Sequence, residues 1–235
     1  MHFLLSNDDG LHAPGLAALE QAIRLLPGAT CTVVAPAAEQ SQCGHRVTTR
    51  EAIPVTQHAA HRYAVEGTPA DCVRIALFAL ALRPDFVVAG VNAGGNMGQD
   101  LPISGTVAGA REAAFHGLPA AAFSHYLIRD LALDWPRVTS WTGEVLAELL
   151  ASPLADGEFW NVNFPHLPAG PVAMPPILEA HPCRAPLNVS FESTPVDDGT
   201  ASHRYTATYS SRPVGPDSDV AVCFGGSIAV SRLHI

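Results

Sequence analysis

The chain has 235 residues, 48% of them hydrophobic, which suits one large α/β domain or a domain with an appendage. Charged residues are 15%, below the roughly 25% of typical soluble chains, which argues against disorder and collagen-like structure. The formal net charge of -9 makes a nucleic-acid groove a poor default, and because all 13 basic residues are arginines, a Walker A lysine, a Schiff-base lysine and a lysine-dependent phosphatase are excluded.

In chain order, Phe3 to Ser6 is a short apolar run that stops at Asn7-Asp8-Asp9-Gly10 and reads as a buried strand. Pro14 to Leu26 carries Leu16, Leu19, Ile23 and Leu26 at helical spacing, with Pro14 in the first turn and Pro27-Gly28 as the stop. Thr32 to Ala35 reads as a second strand closed by Pro36. Pro69 to Leu82 reads as a helix with Thr68 as N-cap. Phe86 to Val91 is a buried strand, Thr106 to His116 an alanine-rich helix, Ala120 to Phe123 a strand, Arg137 to Leu150 a helix and Phe159 to Phe164 a strand.

This βαβα order predicts an α/β fold with an open, mostly parallel sheet and helices on both faces. The pattern fades after Pro165. From 166 to 235 prolines are frequent and no helical period is seen. Tyr205 to Tyr209 reads as an exposed strand or hairpin arm, and Gly226 to Leu233 as a last strand. Residues 1–165 are expected to form the core, with 166–235 packing on it or on another subunit. Five cysteines without a CxxC pair argue against a disulfide framework or zinc ribbon. The apolar run near Met1 is too short for a signal peptide, and no run reaches membrane-span length. A soluble cytoplasmic protein is expected.

Asp8 and Asp9 follow the first strand, where open α/β sheets bind ligands. Adjacent carboxylates repel unless a cation offsets them, and a hard divalent ion such as Mg²⁺ or Mn²⁺ does so through oxygen ligands. A solvated turn formed by Asn7 and Gly10 is the competing reading. Gly90 to Gly98 carries a buried strand into a run of glycines with Asn92 and Asn96. Glycine permits close backbone approach, and asparagine offers neutral donors and acceptors; a flexible loop would have the same composition. Ser104-Gly105-Thr106 opens a helix whose free N–H groups make a phosphate cradle, with plain capping by Ser104 equally compatible. Ser41 alone reads as a surface serine. Asp71 reads as structural, His58, His61, His166 and His181 as surface residues, and Asp219 is given no role.

Together these segments resemble the SurE family of metal-dependent nucleotidases. The stretches that carry the resemblance are LLSNDDGLHAPGL (4–16), VVAP (33–36), VEGTPADCV (65–73), PDFVVAGVNAGGNMGQD (84–100), SGTVAGAREAAFHGLPA (104–120) and WNVNFP (160–165). The resemblance implies a three-layer α/β/α sandwich of Rossmann-like type, with a β-rich C-terminal extension used in dimer or tetramer formation. It implies hydrolysis of phosphomonoesters, chiefly nucleoside 5′-monophosphates, with 3′-nucleotides or polyphosphate as further substrates. It assigns Asp8, Asp9, Ser41 and Asn92 as ligands of one Mg²⁺ or Mn²⁺ ion. The phosphate would meet Asn96 and Ser104-Gly105-Thr106, and Asp8, Asp9 and Asn96 would be catalytic. Gln42 stands where the family usually has glycine, Ile103 where it has an aromatic residue, and Arg232 where it has proline. The competing readings are a non-catalytic nucleotide-binding regulator and a phosphatase acting on 3′-nucleotides, polyphosphate or sugar phosphates.

Overall fold

The computed structural model describes residues 1–170, 173–196 and 199–235. Strands β1 (His2–Ser6), β2 (Thr30–Pro36), β5 (Phe86–Ala93), β6 (Ala120–His125) and β7 (Glu158–Phe164) form the middle of the sheet and run parallel. Their near-continuous apolar composition is what burial on both faces demands. Side chains alternate between two cores with period two. Phe3, Leu5, Val88 and Phe123 face one side, where α1 (Pro14–Leu25) and α4 (Trp135–Leu150) pack through Leu16, Ile23, Trp141 and Leu146. Leu4, Val87 and Ala122 face the other, covered by α2 (Pro69–Arg74) and α3 (Gly105–Phe115) through Val73, Val107 and Ala110. The result is the expected α/β/α sandwich.

The helix α1 lies so close to β5 that a Cβ on Gly15 would sit 1.9 Å from the Val91 carbonyl oxygen. Only glycine allows that approach. Pro14 takes the first turn of α1 and Thr68 caps α2, both as the sequence predicts, and Asp71 closes that cap into a reciprocal box.

Several features differ from the sequence reading. The hairpin β3 (Val55–Ala59) and β4 (Arg62–Val65) extends the sheet beside β2; β3 is exposed along its whole length, so it carries no apolar pattern. The helix from Pro69 stays α-helical only to Arg74 and then widens into a π turn, Ile75–Ala79, closed by Leu80 N–H on the Ile75 carbonyl at 2.8 Å. The tail holds a helix after all, α5 (Asp219–Phe224), too short to display a period. His166 is buried, with Nδ1 accepting from Ile128 N–H at 2.8 Å, whereas His58, His61 and His181 are exposed as predicted.

The extension joins the core at its edge. The last strand, β11 (Ile228–His234), pairs antiparallel with β7, and β8 (Ile177–Glu179) pairs parallel with β11. Order across the sheet is β3-β4-β2-β1-β5-β6-β7-β11-β8 among the described residues. A separate hairpin, β9 (Phe191–Pro195) and β10 (Ala201–Tyr205), is exposed along both strands. The arm expected at Tyr205 to Tyr209 is displaced: the strand runs Ala201–Tyr205 and meets that span at Tyr205 only, while Tyr209 belongs to a following 3₁₀ turn. Among the described residues no helix is long and apolar enough to cross a membrane.

Candidate active site

The carboxyl ends of β1, β2 and β5 converge on a cleft of about 340 Å³ that holds most of the predicted site residues. The turn after β1 is fixed by Asn7 Nδ2 donating to the Gly10 carbonyl at 2.9 Å, with Gly10 at φ +99°. That turn presents two different carboxylates. Asp8 is buried and accepts a hydrogen bond from the Thr106 hydroxyl. Burial lifts its carboxyl to about 6, opposed by the Thr106 bond and assisted by the neighbouring charge of Asp9. Asp9 is half-buried, and its one protein donor is Ala93 N–H at 3.4 Å among the described residues. Burial also raises its carboxyl, with Glu39 adding repulsion.

Asn92 stands at the end of β5, and its Nδ2 donates to the Gly94 carbonyl at 2.8 Å. That bond turns the amide so that Oδ1 is the end left for a cation. The loop after β2 is drawn in by Gln40 N–H on the Asp8 carbonyl at 2.7 Å. It carries Ser41, exposed, with its hydroxyl donating to Glu39 at 2.6 Å. Gln42 adopts φ +58°, the left-handed conformation a glycine takes without strain. The loop therefore keeps its turn despite the missing glycine.

Asn96 is buried and held on every side. Its N–H donates to Asn163 Oδ1 at 2.8 Å, and its carbonyl accepts from Asn161 and Asn163, each at 3.0 Å. Its side-chain Nδ2 donates to Ser124 at 2.8 Å. Ser104 lines the cleft and caps α3, accepting from Val107 N–H at 3.1 Å. Gly105 and Thr106 lie against Asp8: a Cβ on Gly105 would come 2.8 Å from the Asp8 Cβ. Thr106 is thus the support of a carboxylate, while Ser104 faces the space beside it.

Several residues here are given no site role by the sequence reading. Asn161 and Asn163 were visible as two polar residues at alternate positions of a buried strand, the signal of a polar network on one face. Glu39 and Asp100 line the cleft, and Asp100 is paired with Arg212 by two bonds of 2.7 Å. Tyr209 crosses to the same cleft from the extension, its hydroxyl within reach of the Gly95 carbonyl at 2.9 Å and Asp100 at 2.8 Å. Asp219 is fully buried and accepts from Gly98, Cys183 and Val220 N–H at 2.7, 2.8 and 2.8 Å. It pins the glycine loop to the extension, and no local sequence signal foretells a contact over that separation.

The donor set fits a hard divalent cation. No lysine or arginine is among the described residues lining the cleft, so Asp8, Asp9 and Glu39 face it without a positive partner there. The available atoms are all oxygens, two carboxylates with an amide and a hydroxyl. Among the described residues no group of three or more His, Cys, Asp or Glu side chains is placed to hold a metal. Neutral Asn92 and Ser41 would complete the shell instead.

The family described as "Survival protein SurE" matches residues 3–181. A relative from Nostoc sp. (strain PCC 7120) is 45% identical over 235 residues, covering 100% of both chains. The 5′-nucleotidase SurE of Geobacter sulfurreducens is 44% identical over 177 residues, 73% of this chain and 66% of that one. The crystal structure of the SurE protein from Aquifex aeolicus superposes with a TM-score of 0.85 at 27% identity, covering 100% of this chain and 93% of the other. The matched span carries the paired aspartates, the glycine-asparagine loop and the Ser104 helix start, and the chain belongs to the survival protein SurE family.

Proposed function

We propose that this chain hydrolyses nucleoside 5′-monophosphates to nucleoside and phosphate with the help of one Mg²⁺ or Mn²⁺ ion. The observation that carries the reading is an acidic cleft without a positive lining side chain, set beside the start of α3. The 5′-nucleotidase name of the Geobacter relative supports the substrate class. Asp8, Asp9, Ser41 and Asn92 would hold the ion, which when bound polarises phosphate oxygen and acidifies water.

The remaining work falls to the protein. Ser104 and the first turn of α3 orient the phosphate, whose charge the partial positive helix end favours. Asn96, immobilised by Ser124, Asn161 and Asn163, needs no reorganisation to serve the developing charge. Asp8 is engaged by Thr106. Asp9 is therefore the freer carboxylate to orient the attacking water and take its proton. An aspartyl-phosphate route is disfavoured by the absence of lysine from the chain.

Phosphate release from AMP or GMP in Mn²⁺, abolished by a chelator, is the expected result. A panel with 3′-nucleotides, polyphosphate and sugar phosphates ranks the substrates. Nucleotide binding without release of phosphate from any of them would point instead to a regulatory binding protein. We assign the exposed β9–β10 hairpin to a homodimer or homotetramer contact and the protein to the cytoplasm. Light scattering tests the first, and a monomer would oppose it.

A further inference from the structure

Ser41 differs from the other three expected ligands in how it is held. Asp8 is tied to Thr106 on α3, Asp9 to Ala93 on β5, and Asn92 to the Gly94 carbonyl. Ser41 is exposed on the loop after β2. The loop backbone is pinned on both sides of it, by Gln40 N–H on the Asp8 carbonyl at 2.7 Å and Gly44 N–H on the Ile103 carbonyl at 3.0 Å. Those pins place the Ser41 backbone and leave its hydroxyl free to rotate. What fixes the hydroxyl is Glu39. Ser41 Oγ donates to Glu39 Oε1 at 2.6 Å, within the range of a charge-assisted bond. Glu39 lines the cleft, and among the described residues its carboxylate has no ion pair and no other hydrogen bond. Its backbone lies against the turn that carries the aspartates: a Cβ on Gly10 would stand 3.5 Å from Glu39 N.

A serine hydroxyl has one proton and two lone pairs. With its proton pointed at a cation it would repel the ion; with its proton given to a carboxylate it offers lone pairs instead. An outer carboxylate also raises the basicity of the group it holds. We infer that Glu39 is a positioning residue of the cation site, acting through Ser41: it takes the hydroxyl proton and so keeps the Oγ lone pairs for the ion. This rests on the nucleotidase reading above, with its divalent ion, and adds how the loop ligand is oriented.

The test is a double-mutant cycle on Mn²⁺ affinity, read without substrate from the electron paramagnetic resonance signal of free Mn²⁺. Glu39 is exposed, so replacing it leaves the core untouched. Glu39→Ala should weaken binding about tenfold. Glu39→Gln, whose amide oxygen still accepts from the hydroxyl, should stay within about threefold of wild type. In a Ser41→Ala background, Glu39→Ala should add less than about twofold, because the route through the hydroxyl is gone. Unchanged affinity in Glu39→Ala overturns the inference. So does a tenfold loss that persists without Ser41, which would make Glu39 act on the ion directly. A fall in Glu39→Gln as large as in Glu39→Ala overturns it too, since charge and not the bond would then matter. Wild-type protein that binds no Mn²⁺ defeats the divalent-ion reading and this inference together, whereas tight wild-type binding with an indifferent Glu39→Ala defeats this inference alone.

Discussion

Residues 1–165 and the extension after them contribute to the site in opposite ways. The core supplies the chemistry-bearing groups, set at the ends of strands buried on both faces: Asp8 and Asp9 after β1, Asn92 on β5, Ser104 opening α3. The extension supplies no expected metal ligand. Its hairpin is exposed throughout, yet three of its side chains reach back: Tyr209 to Gly95, Arg212 to Asp100 and Asp219 to Gly98. Position in a sheet defines the reacting groups, and long-range polar contacts hold the loop between them.

The largest effect should come from the core's own chemistry. Asp9→Asn is expected to lower phosphatase activity by more than about 100-fold and to weaken Mn²⁺ binding in parallel. Normal turnover in that variant would break the metal assignment.

Glu112 tests the core's rigidity. It is buried on α3 and accepts from His45 and Arg74 at 2.6 and 2.5 Å and from His116 at 2.9 Å. Burial alone would raise its carboxyl, but the bonds from His45, Arg74 and His116 prevail and hold it at about 2. Glu112→Gln should cost about 3 kcal/mol in urea unfolding at neutral pH. Because the folded carboxyl lies below its ordinary 4.5, that stabilisation is full above pH 4.5 and fades as pH falls towards about 2. A gap between wild type and variant that widens on acidification would contradict this.

Asp219→Ala probes the extension in the same way. Three buried N–H groups lose their acceptor, and a loss of about 1–3 kcal/mol is expected. Increased hydrogen exchange at Gly98 should accompany it. If Gly98 stays as protected as before, the extension does not restrain the loop. The smallest effect is expected at Gln42→Gly, where relief of left-handed strain and greater unfolded-state freedom nearly cancel, leaving stability within about 1 kcal/mol. Manganese affinity should be unchanged; a clear fall would show that the Gln42 side chain itself matters.

What the sequence disclosed follows from how local each signal is. Buried parallel strands announce themselves as apolar runs, and the paired aspartates, glycine-asparagine loop and Ser104 start are contiguous motifs. Thr68 and Pro14 were legible because capping is decided within one turn. The hairpin β3–β4 was not, since an exposed edge strand has no apolar face to show. Nor was the burial of His166, which depends on a loop docking over it. Asp219 and Tyr209 meet partners more than a hundred residues away, and such pairings are written in the fold alone.

Anomalous diffraction from crystals soaked in Mn²⁺ addresses the central claim most directly. One peak should stand within bonding distance of the Asp8 and Asp9 carboxylates, Asn92 Oδ1 and Ser41 Oγ, and it should vanish in Asp9→Asn. A fully soaked crystal with no peak between those side chains, or with its ion bound elsewhere on the protein, would contradict it.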